Sequence, residues 1–180
     1  MGGKLGFTLI ELLLSMAIVA ILVSLAIPYF RDFRANQELL QGAQELETNL
    51  RFVQSQAYGG VKHASCEEDD ELIGRFINFE PIDGAPWVMN IYTRCGDKPP
   101  ILVKELNLPE GVTLLTNPPG VDVLFQPINK KAVFIADAGS ATPESFDSSP
   151  ESMTISLRNA AGTIPITVLA TGDISLGPRE

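Results

Sequence analysis

The sequence predicts an α+β protein: one long, kinked N-terminal helix, membrane-spanning in its first half and amphipathic in its second, packed on an antiparallel β-sandwich or wrapped sheet. Three observations predict it. From Phe7 to Ile27 the chain is apolar except for Thr8, Glu11, Ser15 and Ser24. From Leu39 to Ala57 apolar residues recur at helical spacing. After Gly60 short β-prone runs alternate with turn signals to the end of the chain.

The apolar run opens the first element. Phe7 to Ile27 is 21 residues, about 31 Å as a helix and enough to cross a bilayer core. A cleavable secretory signal would be followed by a small-residue site, but Ile27 leads into Pro28-Tyr29-Phe30-Arg31, so the segment is expected to stay with the chain. Lys4 precedes the run and Arg31 and Arg34 follow it, a balance that leaves orientation unset by the positive-inside rule. Glu11 is out of place in an apolar run, where a carboxylate costs on the order of 3 kcal/mol on insertion scales. It either has a partner in the membrane or lies near the interface and helps to cap the helix N-terminus.

Pro28 removes a backbone hydrogen bond and is expected to kink the helix rather than end it, because the helical pattern resumes at once. Leu39, Ala43, Leu46, Leu50, Val53 and Ala57 are spaced alternately by four and three, an amphipathic stripe suited to packing against a sheet. Gly59-Gly60 supplies the stop. A helix from Phe7 to Tyr58 would be about 78 Å long. The expected divisions are therefore 7–28 for the membrane half, 29–58 for the amphipathic half and 61–180 for a globular β domain.

Val61 to Leu72 has no periodicity and carries the acidic run Glu67-Glu68-Asp69-Asp70-Glu71. The run lacks the alternate ligand spacing and the glycine of a calcium loop, so it reads as a solvated loop and no metal is expected. His63 is the one histidine, with no Cys or second His at ligand spacing, and no catalytic constellation accompanies it. No cofactor is implied. Strands are expected at Ile73–Phe79, Trp87–Arg94, Ile101–Leu106, Val112–Leu115, Val121–Phe125, Ala132–Ala136, Met153–Arg158, Ile164–Leu169 and Asp173–Leu176. Turn signals such as Asp83-Gly84, Gly96-Asp97, Pro118-Pro119-Gly120 and Thr171-Gly172 separate them. Ala138–Ser152 reads as a long exposed loop.

The net charge is −9, and Lys130-Lys131 is the one adjacent basic pair, so a nucleic-acid backbone is a poor partner for the chain as a whole. The two cysteines, Cys66 and Cys95, suit a disulfide if the globular part lies outside the cytoplasm. Two unrelated thiols, one buried as a small hydrophobe, is the other reading.

Lys4-Leu5-Gly6-Phe7-Thr8-Leu9-Ile10-Glu11-Leu12 closely resembles the class III signal of type IV prepilins and type II secretion pseudopilins. The resemblance implies a leader at 1–6, cut directly after Gly6 by a prepilin peptidase, and N-methylation of the new terminal Phe7. It implies that Glu11 guides assembly by neutralising the Phe7 amine of an adjacent subunit, in competition with the Phe7 of its own chain. The implied fold is pilin-like. The implied partners are other pilin or pseudopilin subunits, the peptidase and methyltransferase, an assembly platform protein and an ATPase. The implied location is the cytoplasmic (inner) membrane, single-pass, with the C-terminal domain extracytoplasmic and assembled into a filament. Leu50-Arg51-Phe52-Val53-Gln54-Ser55-Gln56-Ala57 and the order of the last strands and turns are similar to H-type pseudopilins and FimT-type minor pilins, which implies a minor subunit. A structural role, not an enzymatic one, follows. The alternative is a membrane-anchored extracytoplasmic binding module, for example for DNA uptake, using Arg75, Arg94, Lys98 and Lys104 as a local basic surface.

Overall fold

A single uninterrupted helix, α1, runs from Leu9 to Tyr58. The computed structural model describes residues 8–67, 69–80, 87–136 and 150–180, without the side chains of 25–29. The leader at 1–6, the Gly6–Phe7 bond and the Asp83-Gly84 turn lie outside the described residues, as does the loop expected at 138–152 up to residue 149. The side chain of Pro28, where a kink is expected, also lies outside them, although the helical backbone continues through that position.

Among the described residues nine strands follow the helix in two antiparallel sheets, giving the α+β class that the sequence predicts. The first sheet has the order β3-β2-β1-β5-β6. Its strands are β1 (Leu72–Glu80), β2 (Val88–Cys95), β3 (Ile101–Asn107), β5 (Asp122–Phe125) and β6 (Ala132–Ile135). The second has the order β4-β7-β8-β9, built from β4 (Thr113–Asn117), β7 (Ser152–Asn159), β8 (Gly162–Leu169) and β9 (Ile174–Leu176). Alternation fixes which face of each strand is buried. Met153, Ile155 and Leu157 of β7 and Ile164, Ile166 and Val168 of β8 turn inward, while the residues between them remain at the surface.

The helical stripe docks on both sheets. Leu39, Ala43, Leu46, Leu50, Val53 and Ala57 are all fully buried, and they share one hydrophobic cluster with Ile77, Ile91 and Phe125 of the first sheet and Ile155, Leu157 and Ile166 of the second. Elsewhere the grip is polar. Asn159 Nδ2 donates to the Ala35 carbonyl at 2.7 Å, and Arg179 donates to Asn36 Oδ1. In the last two turns, Arg51 donates to the Ile174 carbonyl at 2.8 Å and Gln54 to the Gly172 carbonyl. The helix is thus held at both ends of its buried half, at Ala35–Asn36 and at Arg51–Tyr58.

Gly172 illustrates how tight the upper clamp is. It has φ +92°, and a Cβ built on it would fall inside contact distance of the Tyr58 hydroxyl and 2.9 Å from Gln54 Nε2. Both the backbone conformation and the space require glycine. Gly172→Ala is therefore predicted to destabilise the full chain by about 2 kcal/mol or more, measured by denaturant unfolding in detergent. An unchanged midpoint would contradict the clamp.

Candidate functional site

The N-terminal half of α1 has no counterpart to the grip just described. Every described side chain from Thr8 to Arg34 is exposed. Eleven large apolar residues, Leu9, Ile10, Leu12, Leu13, Leu14, Met16, Ile18, Val19, Ile21, Leu22 and Val23, are each at least half exposed. A helix that is apolar all round is one that is normally covered on all sides, by protein or by lipid. Among the described residues, no helix is long and apolar enough to cross a membrane. The described apolar side chains run from Leu9 to Val23, about 22 Å of helix, against the ~30 Å of a bilayer core.

Thr8 starts the helix. Its backbone is extended (φ −81°, ψ 150°), its carbonyl accepts from the Glu11 and Leu12 amides at 3.2 Å, and its hydroxyl accepts from the Glu11 N–H at 3.4 Å. The same hydroxyl donates to Glu11 Oε2 at 3.4 Å. Glu11 therefore lies in the first turn, where the helix dipole favours a carboxylate, and forms with Thr8 a pair of the capping-box type. In the single chain Glu11 thus helps to cap the helix N-terminus. The Thr-x-x-Glu spacing is itself the sequence signal for it.

Beyond the apolar stretch, the side of α1 facing away from the core carries Phe30, Phe33 and Leu40, all exposed, alternating with Gln37, Gln41, Gln44 and Thr48. Charge is held to its margins, where Arg34 pairs with Glu38 at 2.7 Å and Arg51 with Glu47 at 2.8 Å. This stripe of aromatic, aliphatic and amide side chains continues the apolar half along the back of the domain.

Where α1 ends, a loop is tied back to the first sheet. Cys66 and Cys95 form a disulfide across 29 residues; closing a loop of that size contributes roughly 3 to 4 kcal/mol in the chain-entropy model. Lys98 Nζ reaches Glu67 Oε1 at 2.7 Å and Asp70 Oδ2 at 2.9 Å. The acidic run is thus neutralised in part by a lysine, and among the described residues no group of three or more His, Cys, Asp or Glu side chains is placed to hold a metal. His63 lies in this loop, where its Nδ1 accepts from the Ser65 amide.

The four basic residues of the DNA-binding alternative do not form one surface. Arg75 is buried, with Nη2 donating to the Val61 carbonyl at 3.0 Å, and burial pushes its guanidinium below the ordinary arginine range. Lys98 is held by Glu67 and Asp70, and Lys104 turns toward Asn49 of α1. Gly6 and Phe7 lie outside the described residues, so the geometry of the cleavage site is not part of the described structure.

Residues 1–27 match the family model described as the prokaryotic N-terminal methylation motif, the signal of type IV pilin-like prepilins. That motif implies trimming by a prepilin peptidase and assembly with other pilins in general terms. No solved structure matches the chain.

The clasp at Lys98 has a definite pH window. The hydrogen bond from Lys98 holds the Asp70 carboxyl below its ordinary range, and the bonds to Glu67 and then Asp70 raise the Lys98 ammonium above its own. A lowered carboxyl stabilises the fold above its unfolded value, about 3.9, and loses that contribution as pH falls through the folded value. A raised ammonium stabilises it below about 10.4 and loses that contribution as pH rises through the folded value. The melting-temperature gap between wild type and Lys98→Met is predicted to be level from about pH 5 to 10 and to shrink on either side. A gap that widens in acid would contradict the clasp.

Proposed function

We propose that the protein is a structural minor subunit of a type IV pilus or a type II secretion pseudopilus. It is inserted in the inner membrane as a single span with its β domain outside, trimmed after Gly6, N-methylated on Phe7 and assembled through α1. In this reading it is a substrate of the peptidase and methyltransferase, not an enzyme. The observation that carries the proposal is the pairing of two features in one helix. The prepilin-type signal at residues 1–27 includes an apolar half that is uncovered among the described residues, and the other half of the helix is sealed into the β domain. The sequence extends the apolar run through Leu25, Ala26 and Ile27, which brings it to membrane-spanning length. The likeness of the helix end and the last strands to H-type pseudopilins and FimT-type minor pilins is what supports the minor-subunit part.

The chemistry of assembly follows from the N-terminus. Cutting after Gly6 would leave an ammonium on Phe7, one residue before the cap. Glu11 is engaged by a neutral Thr8 hydroxyl at 3.4 Å, a weak bond. A neighbouring subunit's ammonium would offer a charge-assisted bond roughly twice as strong, so Glu11 could exchange one partner for the other as subunits pack. The stripe through Phe33, Leu40 and Gln44 would carry the same helix–helix contact outside the membrane.

The mass of the N-terminal peptide from native membranes tests the reading. Wild type is predicted to begin at methylated Phe7, and Gly6→Ala to retain Met1. A wild-type chain that keeps Met1–Gly6 in cells that process other prepilins would sink it. Glu11→Ala is predicted to be processed normally yet to enter filaments at least about tenfold less, because the amine then packs unpaired. Quantitative blotting of sheared filaments reads this out, and equal incorporation would remove Glu11 from assembly.

A further inference from the structure

The face of the first sheet turned away from α1 carries an arrangement that the filament reading does not use. In the register of that sheet Glu105 of β3 stands opposite Asn90 of β2, and Asn90 opposite Asn78 of β1. Asn78 Nδ2 in turn donates to Asp122 Oδ1 of β5 at 2.9 Å. Two carboxylates and two amides thus form one row across four neighbouring strands, about 4.8 Å apart from strand to strand. Glu80 adds a third carboxylate on the same face, two residues along β1 from Asn78.

The two amides in the middle of the row are short of donors. Asn90 is 7 % exposed. Asn90 Oδ1 and Asn78 Oδ1 are both buried without a hydrogen-bond partner. Buried acceptors are normally satisfied, so two adjacent orphans on one row point to a donor that binds there. The row of residues next to it is aromatic: Phe76 and Tyr92 stack with ring centroids 5.0 Å apart and planes 20° from parallel. Burial raises the Tyr92 hydroxyl above its ordinary value, and Glu80, Asp122 and Glu105 push it the same way, the field of an acidic face.

We infer that the Glu105–Asn90–Asn78–Asp122 row binds a primary ammonium group, of the kind carried by a lysine side chain. An ammonium offers N–H donors to the two orphan amide oxygens, and the Asp122 carboxylate, which already accepts from Asn78, adds negative charge beside them. The row is exposed at Glu105 and buried at Asn90, so the ligand has to reach inward from the β3 edge on a slender apolar stem. A calcium ion fits less well, because it takes six to eight oxygens around it and a straight row on one side of a sheet does not surround it.

The test is a titration of the full chain in detergent, followed by the side-chain amide NMR signals of Asn78 and Asn90. The probes are Nα-acetyl-lysine methylamide, n-butylamine, Nα-acetyl-norleucine methylamide and calcium chloride. The lysine probe is predicted to shift both amides saturably, half-saturating at about 1 to 10 mM, while the norleucine probe leaves them unmoved. Asp122→Asn should weaken the response at least about tenfold. The exposed Glu105→Gln, which carries no risk to the core, should weaken it about threefold. Butylamine binding as well as the lysine probe assigns the site to free amines; a preference of about tenfold or more for the lysine probe assigns it to a protein side chain. No shift with either amine, or a shift with calcium alone, would overturn the inference. Neither result would bear on cleavage after Gly6, so the filament reading stands or falls separately.

Discussion

One helix has to be covered along its whole length, and its own domain covers only half of it. Eleven large apolar side chains between Leu9 and Val23 remain at least half exposed. Covering them is worth on the order of 10 to 20 kcal/mol at 1.5 to 3 kcal/mol for each side chain fully buried. That is comparable to the net stability of a whole domain. Among the described residues the apolar inner faces of the β domain are already committed to Leu39, Ala43, Leu46, Leu50, Val53 and Ala57. In the proposed function lipid and other helices supply the missing cover, and the rest of the molecule is arranged around that division.

The boundary is drawn by polar contacts. Asn159 and Arg179 meet the helix at Ala35 and Asn36, where the core stripe is about to begin. Arg51 and Gln54 meet β9 and the turn before it, where the stripe ends. Hydrogen bonds to backbone carbonyls fix axial position in a way that apolar packing alone does not, since a helix can slide by one turn and re-bury similar side chains. The disulfide and the Lys98 clasp then tie the loop after the helix to β2. The domain holds one end of a long rod firmly and leaves the other end to its surroundings.

The parts of this arrangement that depend on local periodicity were legible in the sequence. The stripe from Leu39 to Ala57 follows a 3.6-residue period, and all six of its members are fully buried. Each expected strand overlaps an observed one, with ends displaced by a residue or two: Trp87–Arg94 became Val88–Cys95, and Ala132–Ala136 became Ala132–Ile135. What depends on pairing at a distance was not legible. Nothing in the run Val112–Leu115 says that β4 leaves its sequence neighbours to pair with β7. Arg75 read as a surface cation because its strand gives no sign that the helix exit will cover it. Gly172 read only as a turn, without the Tyr58 hydroxyl that leaves it no room. The Asn90–Asn78–Asp122 row is assembled from three strands and has no linear trace. The Thr8–Glu11 cap, by contrast, had its signature in four consecutive residues.

The division of α1 is tested most directly by nitroxide labels at Ile21→Cys and Leu40→Cys in the full chain reconstituted into lipid bilayers. The Ile21 label is expected to meet dissolved oxygen and to be shielded from an aqueous nickel reagent, while the Leu40 label shows the reverse. An Ile21 label as open to nickel as the Leu40 label would mean that the bare half of the helix lies in water, and would contradict the division of α1.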